Sequence, residues 1–229
     1  MTGAYFRSLR ASGRGIGTVM QTMDPIEATP AGGLRSPAVA RNTGPILEVL
    51  RAHLPARGEV LEIAAGSGEH AVAFAGALPG LAWTPTDPSA EARASIAAWV
   101  RAARLPNLRE PLALDMIDPA TWPQGPVQAV VCINMIHISP WAATEGLMAL
   151  TGRVLAPGGL LVLYGPYREA EVPLAPSNAA FDESLKSRDP TWGLRDRDAV
   201  VTAARAEGLV LTLRTAMPAN NLMLLFRRS

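Results

Sequence analysis

Strand-like and helix-like segments alternate through most of this 229-residue chain, and that alternation restricts the possible fold more than any other feature. Ile46, Leu47, Leu50 and Leu54 recur at helical spacing, with Thr43 placed to cap the helix and Pro55 to end it. Val60–Ala64 reads as a short buried strand that runs into a glycine turn. Residues 69–78 suit a helix, Leu81–Thr86 a strand, and Ser89–Ala103 a helix capped by Ser89. Pro111–Leu114 is a third strand candidate. Val127–Asn134 is β-branched and apolar on both faces, the character of a strand at the centre of a parallel sheet. A helix over 141–155, the turn Pro157-Gly158-Gly159 and a strand over Leu160–Tyr164 follow. A proline-rich stretch then runs to Arg195, before a helix over 196–207 and two strands, Leu209–Thr215 and Leu222–Arg227.

Such a series builds right-handed βαβ crossovers, so the expected fold is α/β: a Rossmann-like, doubly wound, seven-stranded sheet that is mostly parallel. The last two strands are separated only by Ala216-Met217-Pro218-Ala219-Asn220-Asn221, too short for a crossover helix. They must therefore close the sheet as an antiparallel hairpin.

Composition narrows the function classes. With 48% hydrophobic residues and a single cysteine, Cys132, the chain has the means to build a core without a disulfide framework or a Cys-x-x-Cys metal pair, and no metal site is expected. Lys and Arg number 21 against 20 Asp and Glu, a balance that argues against nucleic acid or an anionic membrane as partner. Every apolar run is broken by Gly, Pro or charge well before the ~20 residues that span a bilayer. Residues 1–35 follow neither period and are rich in glycine, which predicts a mobile extension ahead of one domain over 36–229. Arg7, Arg10 and Arg14 precede the first acid, Asp24, but no continuous apolar stretch follows them, so an export signal is not expected. An upstream start codon, with Met20 or Met23 as the true beginning, and a cytoplasmic location are the expectations.

The chemistry-bearing residues cluster at predicted strand ends. In Glu62-Ile63-Ala64-Ala65-Gly66-Ser67-Gly68-Glu69-His70-Ala71, the residues Gly66, Gly68 and Ala71 satisfy the G-x-G-x-x-G/A pattern that lets backbone approach a nucleotide-like ligand at a strand-to-helix turn. An ordinary tight βα turn would carry such glycines too, but Asp87 ends the next strand at the spacing from which a carboxylate reaches ribose hydroxyls, and Asp115 ends the third. Pro88 and Met116 follow these acids directly. A carboxylate at Glu62 would repel the pyrophosphate of a nicotinamide dinucleotide and favour a cationic ligand. S-adenosylmethionine, with an ammonium, a sulfonium and no phosphate, fits these charges: Glu62 toward the methionine end, Asp87 on the ribose, Asp115 on the adenine amine.

The E-x-x-x-G-x-G loop, the acids at the next two strand ends, Leu155-Ala156-Pro157-Gly158-Gly159 and the closing hairpin together resemble class I S-adenosylmethionine-dependent methyltransferases over residues 36–229. More narrowly, Ala40-Arg41-Asn42 with Pro45-Ile46-Leu47, Cys132-Ile133-Asn134-Met135-Ile136-His137-Ile138-Ser139-Pro140-Trp141, Tyr164-Gly165-Pro166-Tyr167, Trp192-Gly193-Leu194-Arg195-Asp196 and Met217-Pro218-Ala219-Asn220-Asn221-Leu222 resemble the family called domain of unknown function 938. That family is regarded as methyltransferase-like and implies no acceptor. The resemblance implies a cofactor site of Arg41, Asn42, Glu62, Ala64, Gly66, Ser67, Gly68, His70, Asp87, Pro88, Asp115, Met116, Asn134 and Met135.

For the acceptor, methyl transfer needs in-line placement and exclusion of water, and a general base is optional. His137, just beyond the central strand, is the catalytic candidate; a structural histidine that orients the following helix is its other reading. The Asp/Asn-Pro-Pro-Tyr/Phe motif of amino-methylating enzymes is absent after that strand, so a small-molecule acceptor is expected in place of nucleic acid. The stretch 165–195 is long enough for a substrate lid, with Tyr164, Tyr167, Asn178, Phe181, Trp192 and Arg195 as pocket candidates; a satellite apolar cluster under a surface loop would look the same. An NAD-linked oxidoreductase and a non-catalytic cofactor-binding protein are the competing functions.

Overall fold

The computed structural model describes residues 27–29 and 32–229, so most of the expected N-terminal extension, with Met20 and Met23, lies outside the described residues. Two short strands, β1 (Glu27–Ala28) and β2 (Leu34–Arg35), form an antiparallel ribbon. Helix α1 runs over Pro37–His53. It begins well before the expected Thr43 cap, because Pro37 presets helical φ after Ser36 and Thr43 instead donates its hydroxyl to Val39 O at 2.6 Å, inside the helix.

The body then alternates as β3 (Gly58–Ile63), α2 (Glu69–Ala77), β4 (Leu81–Pro85), α3 (Ala90–Ala103), β5 (Val127–Ile133), α4 (Trp141–Val154) and β6 (Leu155–Gly165). Next come β7 (Tyr167–Arg168), α5 (Pro176–Arg188), β8 (Arg195–Asp196), α6 (Arg197–Ala206), β9 (Leu209–Met217) and β10 (Asn221–Arg228). Six strands make the central sheet in the order β4-β3-β5-β6-β10-β9, the first four parallel and β10 antiparallel to both neighbours.

The sheet therefore has one strand fewer than expected. The segment around Pro111–Leu114 does lie beside β4, but it touches it through two isolated bridges, Trp83 to Leu108 and Thr86 to Leu112. Pro85 on one side and Pro111 on the other lack the N–H groups a continuous ladder would need.

Period-two alternation sorts the strand residues onto two cores. Leu61, Ile63, Val130, Cys132, Leu161 and Leu163 pack with Leu147, Val154, Val200 and Ala204 from α4 and α6. Val60, Ala129, Val131, Leu160 and Val162 pack on the opposite face with Ile46, Leu50, Ala71 and Phe74 from α1 and α2. The helix starts follow local chemistry: the Ser89 hydroxyl accepts from Ala92 N, and the Asp196 carboxylate accepts from both Asp198 N and Ala199 N. The expected lid stretch holds α5 and the parallel β7–β8 pair, which joins the two ends of the stretch to each other. Among the described residues, no helix is long and apolar enough to cross a membrane.

Candidate active site

Strand register brings the candidate residues to one edge. Glu62 pairs with Pro85, Ile63 with Cys132, and Ile133 with Tyr164, so the chain leaves the carboxyl ends of β4, β3, β5 and β6 side by side. That places Asp87, the 64–68 loop, Asn134–His137 and Gly165–Tyr167 in a row, the crevice where open α/β sheets take ligands.

The glycine loop is shaped by positive φ at Ala64, Gly66 and Gly68. Gly68 is required by packing as well, since a Cβ there would lie 2.9 Å from Ile96 Cα. At Gly66 a Cβ would meet nothing nearer than Ala64 O at 4.0 Å, so its bareness leaves open room above the loop. Three of the loop amides are already used: Ala65 N donates to Thr86 O, Gly68 N to Ala65 O, and Gly66 N to Asp87 Oδ2 at 3.0 Å. Ser67 turns away, its hydroxyl on Glu69 and its carbonyl accepting from Ser95.

Asp87 is 7% exposed and accepts from Gly66 N and, at 2.9 Å, from Ser89 N. Burial raises its carboxyl to about 6, against the hydrogen bonds from Ser89 and Gly66 and the charge of Arg93. Arg93 holds the same turn by donating to the carbonyls of Asp87 and Pro88. Asp115 and Met116 sit beyond the bridge at Leu112, with Asp115 Oδ1 accepting from Ile117 N. Met116 is buried in the core on the α4 side.

Glu62 takes a different place from the one its spacing suggests. Its carboxyl is 1% exposed, and Oε2 accepts from Trp83 Nε1 at 2.6 Å. Burial pushes it up to about 7; the indole hydrogen bond opposes that rise and the charge of Asp87 adds to it. The charge argument from Glu62 is thereby weakened, since near pH 7 this carboxyl is only partly ionised.

Arg41 and Asn42 come from α1. Asn42 Oδ1 and His70 Nε2 are 2.8 Å apart, and at the end of β6 burial pushes the Tyr164 hydroxyl up while the Asn42 side chain pulls it back down by a smaller amount. His70 is buried, stacked on Phe74 at 5.2 Å, and burial lowers it to about 3, so it is neutral. This network joins α1, α2 and β6 beneath the crevice.

Asn134 adopts a left-handed conformation (φ 61°), and its N–H donates to Tyr164 O, turning the chain into the 3-10 segment Met135–His137. His137 is 1% exposed, and neither ring nitrogen has a hydrogen-bond partner. Burial pushes the imidazole down to about 3, with Arg195 adding to that and Asp182 opposing it. A side chain at Gly165 would overlap the His137 ring, so the bare glycine lets the ring occupy the end of β6. Tyr167 meets it edge-on at 5.1 Å, and the Tyr167 hydroxyl also lacks a partner.

The remaining pocket candidates separate. Arg195 donates to Ile136 O, Ser139 O and Thr191 O and lies over Trp141, so it braces the His137 segment. Trp192 packs with Leu185 and Leu194, and Phe181 and Ile138 join that satellite cluster. Asn178 donates to Asn220 O, tying α5 to the β9–β10 turn. Together with Tyr167 it lines a cavity of about 210 Å³ at the same sheet edge. The cavity's other wall, Met217 and Leu222, went unnoticed as a site in the sequence because the hairpin reads there as a closing element of the fold. Trp83, Arg93 and Gly165 were also missed, and only the Gly165 position within Tyr164-Gly165-Pro166-Tyr167 carried a sequence signal.

The family described as protein of unknown function (DUF938) matches residues 34–228. Solved structures are similar in fold. An O-methyltransferase family protein from Burkholderia thailandensis superposes with a TM-score of 0.72 at 16% identity, covering 84% of this chain and 57% of that one. The mitomycin 7-O-methyltransferase MmcR gives 0.72 at 16% identity, covering 85% and 55%. The calicheamicin-biosynthesis methyltransferase CalO1, in its SAH-bound form, gives 0.67 at 16%, covering 84% and 55%. The chain thus has the class I methyltransferase fold and spans a little over half the length of these structures.

Proposed function

The chain belongs to the family of proteins of unknown function DUF938, and we propose that it is an S-adenosylmethionine-dependent methyltransferase with a small-molecule acceptor. The observation that carries this reading is the bond from Gly66 N to Asp87. In a dinucleotide fold the loop amides face a pyrophosphate; here an acid already occupies one of them, and the crevice is acidic where a phosphate would lie. A ligand with a nucleoside and a positive charge fits that surface, and the methyltransferase fold of the solved neighbours supports it.

When bound, S-adenosylmethionine supplies an electrophilic methyl group on a sulfonium. The open face of Gly66 gives room for the nucleoside, Asp87 and Asp115 accept from its hydroxyl and amine donors, and Asn134 and Met135 border the methionine end. The Asn42–His70 contact ties α1 to the start of α2 beside the glycine loop. His137, neutral with two unpartnered ring nitrogens just past the end of β5, is the proton acceptor we assign.

Calorimetric titration with S-adenosylmethionine, S-adenosylhomocysteine and NADH tests the reading. Saturable binding of the two adenosyl compounds without NADH is expected, and Asp87→Ala should weaken it about tenfold or more. Binding of NADH alone would overturn the assignment.

A further inference from the structure

Helix α3 carries Ser95 and Trp99 four residues apart, so both lie on one face, and the chain just before α1 runs along them. Ser95 is 2% exposed, and its hydroxyl bridges two segments: it accepts from Leu34 N at 2.7 Å and donates to Ser67 O at 2.7 Å. Trp99 Nε1 donates to Leu34 O at 2.9 Å, and the Arg35 guanidinium lies over the same indole, 5.6 Å from its centre. A Cβ on Gly33 would come within 2.7 Å of Trp99 Nε1, so only a bare residue lets the backbone press this closely on the ring. β1 backs the segment from outside, with Ala28 opposite Leu34 and Glu27 opposite Arg35.

A second bridge runs through Glu69. Its Oε2 accepts from Ser36 N at 2.7 Å and from the Ser67 hydroxyl at 3.1 Å. Ser67 is thereby held twice, by its carbonyl through Ser95 and by its hydroxyl through Glu69, and each holder also takes a backbone amide from residues 34–36. Ser67 stands between Gly66 and Gly68, whose φ values of 57° and 90° shape the glycine loop. Covering α3 would need only apolar contact; two polar bridges that end on one residue of the loop tie the segment to the loop's conformation.

Resting on the cofactor reading above, we propose that residues 33–36 are a strap that holds the glycine loop in its ligand-binding shape, with Ser95 and Glu69 as positioning residues that act through Ser67. With the strap lifted, Ser67 loses its fixed partners and the loop takes S-adenosylmethionine weakly. A bound nucleoside fixes the loop and so holds the strap down. Such coupling is reciprocal: the factor by which the closed strap tightens the ligand is the factor by which the ligand closes the strap.

The full chain carries its own reporter, because Arg35 is exposed on the strap and trypsin cuts after it when the strap lifts. Where reclosing outruns cleavage, the rate follows the open population. Saturating S-adenosylhomocysteine should slow this cut about tenfold. Gly33→Val forces the strap away from Trp99 without altering the loop; it should weaken S-adenosylhomocysteine in calorimetry by about the same factor and speed the cut in the free protein. Glu69→Ala should do likewise, whereas Glu69→Gln, whose carboxamide oxygen still accepts from Ser36 N and the Ser67 hydroxyl, should bring both readings back near native. Thermal unfolding shows that each variant folds, and should Gly33→Val not fold, the two Glu69 variants decide. A strap that merely covers α3 would leave the cut indifferent to S-adenosylhomocysteine and give variants of lower Tm with native affinity; either result overturns the proposal. So does Glu69→Gln binding as weakly as Glu69→Ala, which would show that the charge and not the bridge serves the ligand. A native chain that does not bind S-adenosylhomocysteine overturns the cofactor reading, and the strap's role with it.

Discussion

Replacing Glu62 with glutamine should stabilise the ligand-free protein, and by an amount that depends on pH. Glutamine retains an oxygen for the Trp83 indole, 2.6 Å away in the native pair, and removes the ionisation. In the folded protein burial raises the Glu62 carboxyl from 4.5 to about 7. Between those two values the folded state holds a proton that the unfolded state has lost, so unfolding releases it and stability falls as pH rises through that window, then levels off. At about 1.4 kcal/mol per pH unit, the rise amounts to about 3 kcal/mol of stability lost above pH 7. Glu62→Gln escapes that loss. Urea unfolding followed by tryptophan fluorescence should find the two proteins nearly equal at pH 4 and the variant more stable by up to about 3 kcal/mol at pH 8.5. At roughly 2–4 °C per kcal/mol for a domain of this size, the difference is also visible in Tm. A difference that is the same at both pH values, or a variant that is less stable throughout, would show that Glu62 is not a penalised buried acid.

Three further outcomes are expected. S-adenosylmethionine affinity should rise from pH 5 to pH 8, because a cation favours the ionised forms of Asp87 and Glu62, which titrate near 6 and 7; calorimetry in two buffers of different ionisation enthalpy should record proton release, and none would remove the acids from the site. Gly68→Ala should cost at least about 2 kcal/mol and abolish cofactor binding, since it combines a φ of 90° with a contact 2.9 Å from Ile96, whereas Gly158→Ala, φ 74° in open space, should cost about 1 kcal/mol and leave binding intact. Asp196→Ala strips the acceptor from Asp198 N and Ala199 N and should lower stability by about 1 kcal/mol without touching ligand affinity, measured by thermal unfolding and titration in parallel.

Much of the frame was legible because its signals are local. The alternation of Val60 and Leu61, or of Val130 and Val131, between two cores needs only the two-residue repeat of a strand. The Ser89 cap, the stop before Pro55 and the closing hairpin follow from one or a few residues each. Where local signals competed, the reading slipped. Thr43 has a capping side chain, but Pro37 begins the helix earlier, and the strand at Pro111–Leu114 lost its ladder to a second proline across from it, Pro85. Lid and satellite cluster were indistinguishable in the sequence; the structure puts Trp192 and Phe181 in the cluster and Tyr167 and Asn178 on the cavity.

Spacing and residue type alone placed Glu62, Gly66, Asp87, Asn134 and His137 at strand ends, and so put them at one edge of a parallel sheet. Their roles depended on contacts across tens of residues. Glu62 turns to Trp83, Asp87 takes the amide of Gly66, and the His137 ring fits over Gly165 against Tyr167. A repeat of two or 3.6 residues is carried by neighbours in the chain, so a single sequence shows it. A carboxyl's ionisation and a hydroxyl's missing partner are set by what folding brings against them from elsewhere, and only the packed structure decides those.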